Sequence, residues 1–487
     1  MLEGWQIIKL LNNNKGIMVS NLLSTGVHRS FILIIGIVSF IIFSINILLY
    51  FEPNQTFAVK STVLPNILDS NLKADLIFQS EFKREGGTLS PVSSMAFIGV
   101  DDILLLNKNN GTVNRIVNGA MLRDPLIDVN VANERERGML GIATSNNLTK
   151  DGVRYVFLYY TESKNVDGSD TCRKTYSCTS DSETLGNNLY RYTLKDNRLI
   201  EPKLLLHIPS WPAPSHNGGV LKIGPDKNIY FTVGDLVGSV NESSRTKAQN
   251  YKNGSVPDGR AGILRVTQDG KSDFDPILEN RFPLNLYYAY GIRNSFGIDF
   301  DPLTGILWDT ENGPEFGDEI NLVEPGFNSG WEVVQGNWKT RYDAKLGGDL
   351  VAGKEISDPL KNEFVDFGGN GKYSGPEFVW NQTVGPTQIL FLKSDKYQIK
   401  YKNDIFVGDT NNGYLYHFDL NEERSKLLLN GTLADGVANS TKELNEVIFG
   451  TGFGQITDLE VSPDGYLYVL THYNNLATIF RITPVRN

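Results

Sequence analysis

The chain has 487 residues, of which 40% are hydrophobic and 21% charged, and it carries a formal net charge of −10. That composition is ordinary for a globular protein long enough to bury a sizeable core. No basic block of five or more residues occurs, so the clustered Lys and Arg that phosphate neutralisation needs are missing and no nucleic-acid partner is expected.

Residues 1–30 read as a short N-terminal segment ahead of a membrane span. Residues 31–51, FILIIGIVSFIIFSINILLYF, run for 21 residues without a charge. At 1.5 Å per residue such a helix crosses a hydrocarbon core of about 30 Å. The rival is a cleaved signal peptide, whose apolar region is about 7–15 residues long and is followed by a small-residue site; neither feature matches. Lys9, Lys15 and Arg29 precede the span and Glu52 follows it. The positive-inside rule then places the N-terminus in the cytoplasm and the rest outside, attached to the membrane through this helix alone. Export agrees with Cys172 and Cys178, the only cysteines, which are expected to close a small loop disulfide. The eight N-x-S/T sequons, at Asn54, Asn110, Asn147, Asn241, Asn253, Asn381, Asn430 and Asn439, suit a glycosylated surface.

Residues 52–73 read as a linker. From 74 to 487 short β-branched and aromatic runs alternate with Gly, Asn, Asp and Pro turns, and no amphipathic helix of 12 or more residues is sustained. The reading is all-β. A turn-plus-strand unit recurs six times, as VDDILLLNKNNG (100–111), KDGVRYVFLYYT (150–161), GPDKNIYFTVGD (224–235), FDPLTGILWDTENG (300–313), KNDIFVGDTNNG (402–413) and SPDGYLYVLT (462–471). Most copies are followed by a second strand such as NGTVNRIV or AGILRVTQDG. Each unit leaves two apolar faces that only neighbouring copies can cover, so radial stacking into a six-bladed β-propeller is the expected architecture.

Two stretches carry chemistry. In WPAPSHNGGVLKIGPDKNIYFTVGD (211–235), His216 lies in a Pro- and Gly-rich loop before a strand, and Asp235 ends the next one. Across a hairpin these ends meet, so Asp235 can accept from one ring nitrogen and leave the other as a base. In 288–330, Arg293 and Asn294 precede one strand, and Glu311, Gly313, Pro314, Asp318 and Glu319 follow the next. Arg is a fixed donor fork for an oxyanion, while Gly-Pro carbonyls beside carboxylates are hard ligands suited to Ca²⁺.

These stretches, with ERGMLGIA (136–143), YGIRNSFGIDFDPLTG (290–305), GDEINLVEPGFNSGW (317–331) and TDLEVSPDGYLYVLT (457–471), resemble the soluble quinoprotein glucose dehydrogenase and aldose sugar dehydrogenase family, the glucose/sorbosone dehydrogenases. The resemblance spans about residues 80–485. It implies a propeller holding pyrroloquinoline quinone (PQQ) and Ca²⁺ at its top face, a sugar or alcohol substrate oxidised at an aldose C1 hydroxyl, and an electron acceptor. By that resemblance His216 is the general base and Asp235 its orienting carboxylate, with Arg293 and Asn294 at the quinone end. Gly313 and Pro314 give carbonyls to the active-site Ca²⁺, and Asp318 and Glu319 add metal-site carboxylates. The chain departs from the family where PQQ's carboxylates are met by a Lys and two Arg: those positions are Asn411, Gln455 and Thr457, and a Gln position is Glu136. Lys339, Arg341 and Lys372 are the candidate replacement cations. A non-redox propeller that binds a glycan or protein, and a Ca²⁺-dependent hydrolase of the lactonase type, stay open as alternatives.

Overall fold

The computed structural model describes residues 63–485 except 84–89, 146–147, 149–151, 164–183, 237–244, 344–348, 357–362 and 474–475. The expected N-terminal segment, the membrane span 31–51, both cysteines and the sequons at Asn54, Asn147 and Asn241 lie outside the described residues. Among the described residues no helix is long and apolar enough to cross a membrane, and helical segments are 3-10 turns of three or four residues.

Strands dominate because the sequence supplies Val, Ile, Tyr and Phe runs bounded by turn residues. Among the described residues, consecutive strands pair antiparallel into six main sheets, with a seventh small sheet inserted in the chain. The first sheet holds Val92–Gly99, Asp102–Asn107 and Thr112–Val117, edged by Ala120–Met121 and Ile127–Asp128. The second holds Met139–Thr144, Arg154–Ser163, Thr184–Lys195 and Arg198–Ile208. Leu221–Ile223, Ile229–Val233, Gly262–Val266 and Tyr287–Tyr290 make the third, extended by the short parallel strands Phe327–Asn328 and Lys372–Tyr373. The fourth comprises Ser295–Phe300, Leu307–Glu311, Phe316–Val323 and Phe378–Gln382; the fifth Pro386–Phe391, Ile405–Asp409, Leu415–Phe418 and Ile448–Thr451. Gln455–Val461, Leu467–Tyr473 and Leu476–Pro484 form the sixth, and its outer strand is Leu72–Ser80 from the start of the domain.

The first strand of every sheet touches the first strand of the next, and the sixth returns to the first, so the inner strands form a closed ring. The sheets are therefore blades of a propeller. All six repeat units fall on second strands, and those strands bury both faces: Ile229–Val233, Leu307–Glu311 and Ile405–Asp409 are buried at every residue. Aromatic residues fill the wedge between blades four and five, where Trp380 meets Phe378 edge-on at 4.8 Å and Phe418 at 6.4 Å, an arrangement favoured by ring quadrupoles.

The linker expected over 52–73 runs into the domain. Asn66–Ile67 pairs with Thr451 and Gly450 on blade five, and the closing strand begins at Leu72. The long stretch after Trp331 carries a separate three-stranded sheet, Val334–Gln335, Trp338–Asp343 and Asp349–Glu355, inserted between the last two strands of blade four. First strands begin, and second strands end, at the same face of the ring. That face collects the motif loops.

Candidate active site

His216 and Asp235 sit at the top of blade three, one before its first strand and one after its second. The loop brings His216 in with φ of 60°, a left-handed conformation uncommon for a residue with a Cβ and a form of strain that clusters at functional sites. Gly218 follows at φ of 60°, and a Cβ there would lie 2.6 Å from the carbonyl oxygen of Thr232; only glycine allows this close approach. The ring ends with Nδ1 2.6 Å from Asp235 Oδ1. Asp235 is fully buried. Its second carboxylate oxygen accepts from Trp331 Nε1 at 2.7 Å, and its N–H donates to the Arg293 carbonyl at 2.9 Å. An imidazole facing a carboxylate through Nδ1 carries its proton there, which leaves Nε2 as the acceptor.

Arg293 stands beside this pair. Its guanidinium lies 5.4 Å from the Trp331 ring centre and donates to the Asn312 carbonyl at 2.7 Å. Burial lowers its pKa from the ordinary value, against the pull of Asp235, Glu136, Asp318 and Glu311. Its Nε is buried and has no hydrogen-bond partner among the described residues. Trp331 thus contacts both the orienting carboxylate and the arginine. The sequence motif contained it, but nothing in residue type or spacing marked its role.

Glu136 proves to be a clamp. Its Oε2 accepts from the N–H of His216 at 2.7 Å, the N–H of Asn217 at 3.3 Å and Asn294 Nδ2 at 3.1 Å. Asn294 Oδ1 in turn accepts from the N–H of Gly218 at 3.2 Å. Glu136 and Asn294 therefore hold the histidine loop by its backbone, and the acid's charge is spread over three donors.

Gly313 and Pro314 form the turn after the second strand of blade four. Asp318 ties that turn down: Oδ1 accepts from the Gly313 N–H at 2.8 Å, Oδ2 from the N–H groups of Val384 and Gly385 at 2.7 and 2.9 Å. Burial raises its pKa to about 6. Glu319 accepts from Gln335 Nε2 at 2.9 Å and Asn321 Nδ2 at 3.1 Å, and burial raises its pKa to about 8. Both side chains are committed to protein donors, so a hard cation at this turn is left with the carbonyls of Gly313 and Pro314. Behind them, Asp309 and Glu311 are fully buried and raised well above the carboxylate range by burial, for Asp309 against the opposing pull of Asn321 and Ser295. Among the described residues, ligand atoms converge to within 4.8 Å only at Asp404, His417 and Asp419 on blade five, a group the sequence did not single out.

A cavity of about 280 Å³ opens at the ring axis beside the histidine loop, lined by Glu136, Leu140, Gly218, Phe296 and Thr457 among others. That volume is at the lower end of small-molecule sites. Of the three positions where the resemblance implies cations, Thr457 lines the cavity while Asn411 and Gln455 are exposed. The candidate replacements are elsewhere: Lys339 pairs with Glu363 at 2.7 Å on the surface, Lys372 lines a different cavity, and Arg341 does not line the axial one.

The cavity floor holds Asp458, which accepts from Ser94 Oγ and the Met95 N–H, both at 2.7 Å. Burial pushes its pKa up to about 7, with Glu460 adding to the rise and Lys222 opposing it. A carboxyl whose folded pKa is raised favours folding while protonated, and that advantage fades as pH rises from about 4 through about 7. Asp458→Asn removes the titration. The thermal midpoint of the native chain, relative to this variant, is expected to fall by several degrees between pH 4.5 and 7.5; parallel curves would assign the group an ordinary pKa.

A closed propeller with a carboxylate-oriented imidazole and a neighbouring arginine, next to an axial cavity that Gly218 and Asn312 beside them line, defines an enzyme-like small-molecule site. The sequence profile described as Glucose / Sorbosone dehydrogenase matches residues 89–481, and the chain belongs to that family. It is 31% identical over 229 residues to quinoprotein glucose dehydrogenase B of Acinetobacter calcoaceticus, covering 45% of this chain and 46% of that one. Aldose sugar dehydrogenase YliI of Escherichia coli is 24% identical over 283 residues, or 57% of this chain and 62% of the relative. The matched segments thus span about half the length of these curated relatives. The PQQ-bound form of an aldose sugar dehydrogenase from Streptomyces coelicolor has the same fold, with a TM-score of 0.55 and 19% identity over 85% of this chain and 98% of the other.

Proposed function

We propose that the protein is a quinone-dependent sugar dehydrogenase that oxidises the C1 hydroxyl of an aldose to the lactone. The observation that carries the reading is the His216–Asp235 pair, held at 2.6 Å and backed by Trp331 and Arg293. His216 Nε2 takes the hydroxyl proton, Asp235 holds the ring and offsets the imidazolium charge, and Arg293 stabilises the negative charge that develops on a nearby oxygen.

The residues present fit PQQ. The axial cavity has apolar walls at Leu140, Val220 and Phe296 and is also lined by Gly218 and Asn312, next to the histidine and arginine; the buried Arg293 Nε lacks an acceptor among the described residues. Arg293 and Asn294 would hold the quinone end, and the carbonyls of Gly313 and Pro314 a Ca²⁺. The bound cofactor supplies a two-electron acceptor that no side chain offers. We further propose that residues 31–51 anchor the chain by a single span, with the N-terminus cytoplasmic and the propeller outside.

The test is turnover by the full chain in detergent, loaded with PQQ and Ca²⁺, against a panel of aldoses with a redox dye. Lactone formation is expected. A second reading, a non-redox propeller that binds a glycan or protein, is favoured by the neutral Asn411, Gln455 and Thr457. Absence of PQQ binding, together with no dye reduction for any sugar, would favour that reading.

A further inference from the structure

We propose that Asp404, His417 and Asp419 form a binding site for a divalent transition cation of the zinc class, at the end of blade five that faces away from the axial cavity. The inference is independent of the dehydrogenase reading above.

The site is built on one hairpin. Ile405–Asp409 and Leu415–Phe418 pair antiparallel, with Ile405 opposite Phe418 and Phe406 opposite His417. Side chains alternate between faces along a strand, and directly opposed residues share a face. Asp404 therefore lies on the face of Phe406, and His417 and Asp419 lie on that same face of the facing strand. His417, Phe418 and Asp419 make an H-x-D pair, and Asp404 supplies a carboxylate from across the ladder. Asp404 precedes the second strand of the blade and Asp419 follows the third. The group thus sits at the opposite face of the ring from His216.

The spacing suits a metal. His417 Nε2 lies 3.1 Å from Asp404 Oδ2 and 3.5 Å from Asp419 Oδ1. Ligand atoms about 2.0–2.1 Å from a tetrahedral ion stand about 3.4 Å apart, which falls between those two values. The imidazole is set in place by its surroundings. Its ring meets Tyr401 edge-on with centres 5.0 Å apart and Phe406 at 5.0 Å, and its main-chain N–H donates to the Val447 carbonyl at 2.8 Å. The Asp419 carbonyl accepts from the Leu428 N–H at 2.8 Å. A packed imidazole with Nε2 aimed at both carboxylates separates this group from a patch of solvated surface acids.

Charge and exposure agree with the assignment. Two carboxylates beside a neutral imidazole carry a double negative charge, which a dication cancels. The side chains of His417 and Asp404 are 17% and 13% exposed, while that of Asp419 is 57% exposed. A cation entering past Asp419 meets two ligands already shielded from water. Lys400, whose charge reaches Asp419, is itself 3.0 Å from Asp69 Oδ2 and so is engaged elsewhere. One imidazole with two carboxylates suits Zn²⁺ and its neighbours in the series, whereas Ca²⁺ takes about six to eight oxygens. The bound ion would clip the start of the second strand to the end of the third.

The test is titration of Zn²⁺ into the full chain in detergent, followed by calorimetry, with Ca²⁺ at about 1 mM to fill sites made of oxygen ligands alone. Co²⁺, read by its visible absorption, serves as the parallel probe. Binding at this site is expected with Kd below about 100 μM. His417→Gln and Asp404→Asn are each expected to weaken it by about 100-fold or more, and Asp419→Asn by about 10-fold, because even the outer partners of metal ligands are worth about 10- to 100-fold. The first two variants should also lose the Co²⁺ bands, and saturating Zn²⁺ should raise the thermal midpoint of the native chain and not theirs. Native-like midpoints without metal would show that the variants fold. Asp419→Asn, at a mostly exposed carboxylate, carries the test if a buried change unfolds the chain. No Zn²⁺ uptake tighter than about 100 μM, or uptake and Co²⁺ bands unchanged in the folded variants, would overturn the site and leave the three residues an ion-paired cluster. Turnover with PQQ and Ca²⁺ is expected to be the same in all these variants, so the dehydrogenase reading stands or falls separately.

Discussion

Replacing His216 by Ala is expected to lower turnover by about 10²- to 10⁴-fold, the range that a positioned general base contributes, while the protein stays folded. The fold survives because the loop is held by main-chain bonds: the residue-216 N–H on Glu136 and the Gly218 N–H on Asn294 persist in the variant. Alanine tolerates φ of 60° somewhat less well than histidine, a small added strain that these main-chain bonds offset. The loss should fall on kcat, because the base acts in the transition state, and KM should change little. Asp235→Asn separates the two roles. Asn can present an N–H to Nδ1, which moves the ring proton to Nε2 and removes the acceptor. That variant should lose turnover and shift the pH–rate profile, although its side chain remains bonded near Trp331. Turnover by His216→Ala at the native rate would remove the histidine from the mechanism.

The second large effect concerns ring closure. A chain beginning at residue 63 is expected to keep the cooperative unfolding of the native domain, whereas one beginning at residue 82 should fail to fold. The difference is the strand Leu72–Ser80, which pairs with Leu476–Pro484 from Leu72 opposite Pro484 to Ser80 opposite Ala477. Leu72 and Phe78 are buried on it, and each is worth about 1.5–3 kcal/mol. The ladder adds about 0.5–1.5 kcal/mol for each hydrogen bond. Together these rival the 5–15 kcal/mol that holds a typical domain folded. The shorter chain would also expose the edge of Leu476–Pro484, a template for aggregation. Circular dichroism and a melting curve on both chains decide it. A sharp native-like transition in the chain that begins at 82 would show that the ring stands without its closing strand.

Much of the architecture was legible in the residues. The six turn-plus-strand repeats mark the six second strands, because a strand buried on both faces tends to read as a continuous apolar run; Leu307–Glu311 departs from this, being buried throughout while apolar only at Leu307 and Trp308. The pairing of His216 with Asp235 followed from their places at adjacent strand ends. The start of the domain did not follow, because Asn66–Ile67 and Leu72–Lys73 are strand only through partners at residues 450–451 and 483–484; such pairing leaves no local period.

Composition, repeat and motif by themselves determined an all-β ring with a histidine–aspartate pair on one face. Each of these depends on residues close in the chain, where turn chemistry and side-chain alternation act. Tertiary structure alone decided what surrounds that pair. Trp331 reaches Asp235 across 96 positions, and Glu136 reaches the His216 N–H across 80. Whether a cation faces the axial cavity is likewise a matter of where blades meet. Lys339, Arg341 and Lys372 are near Trp331 in sequence yet do not line it, while Lys108 and Arg135, distant from both motifs, do. Ring closure sets those neighbours, and no spacing within one blade records it.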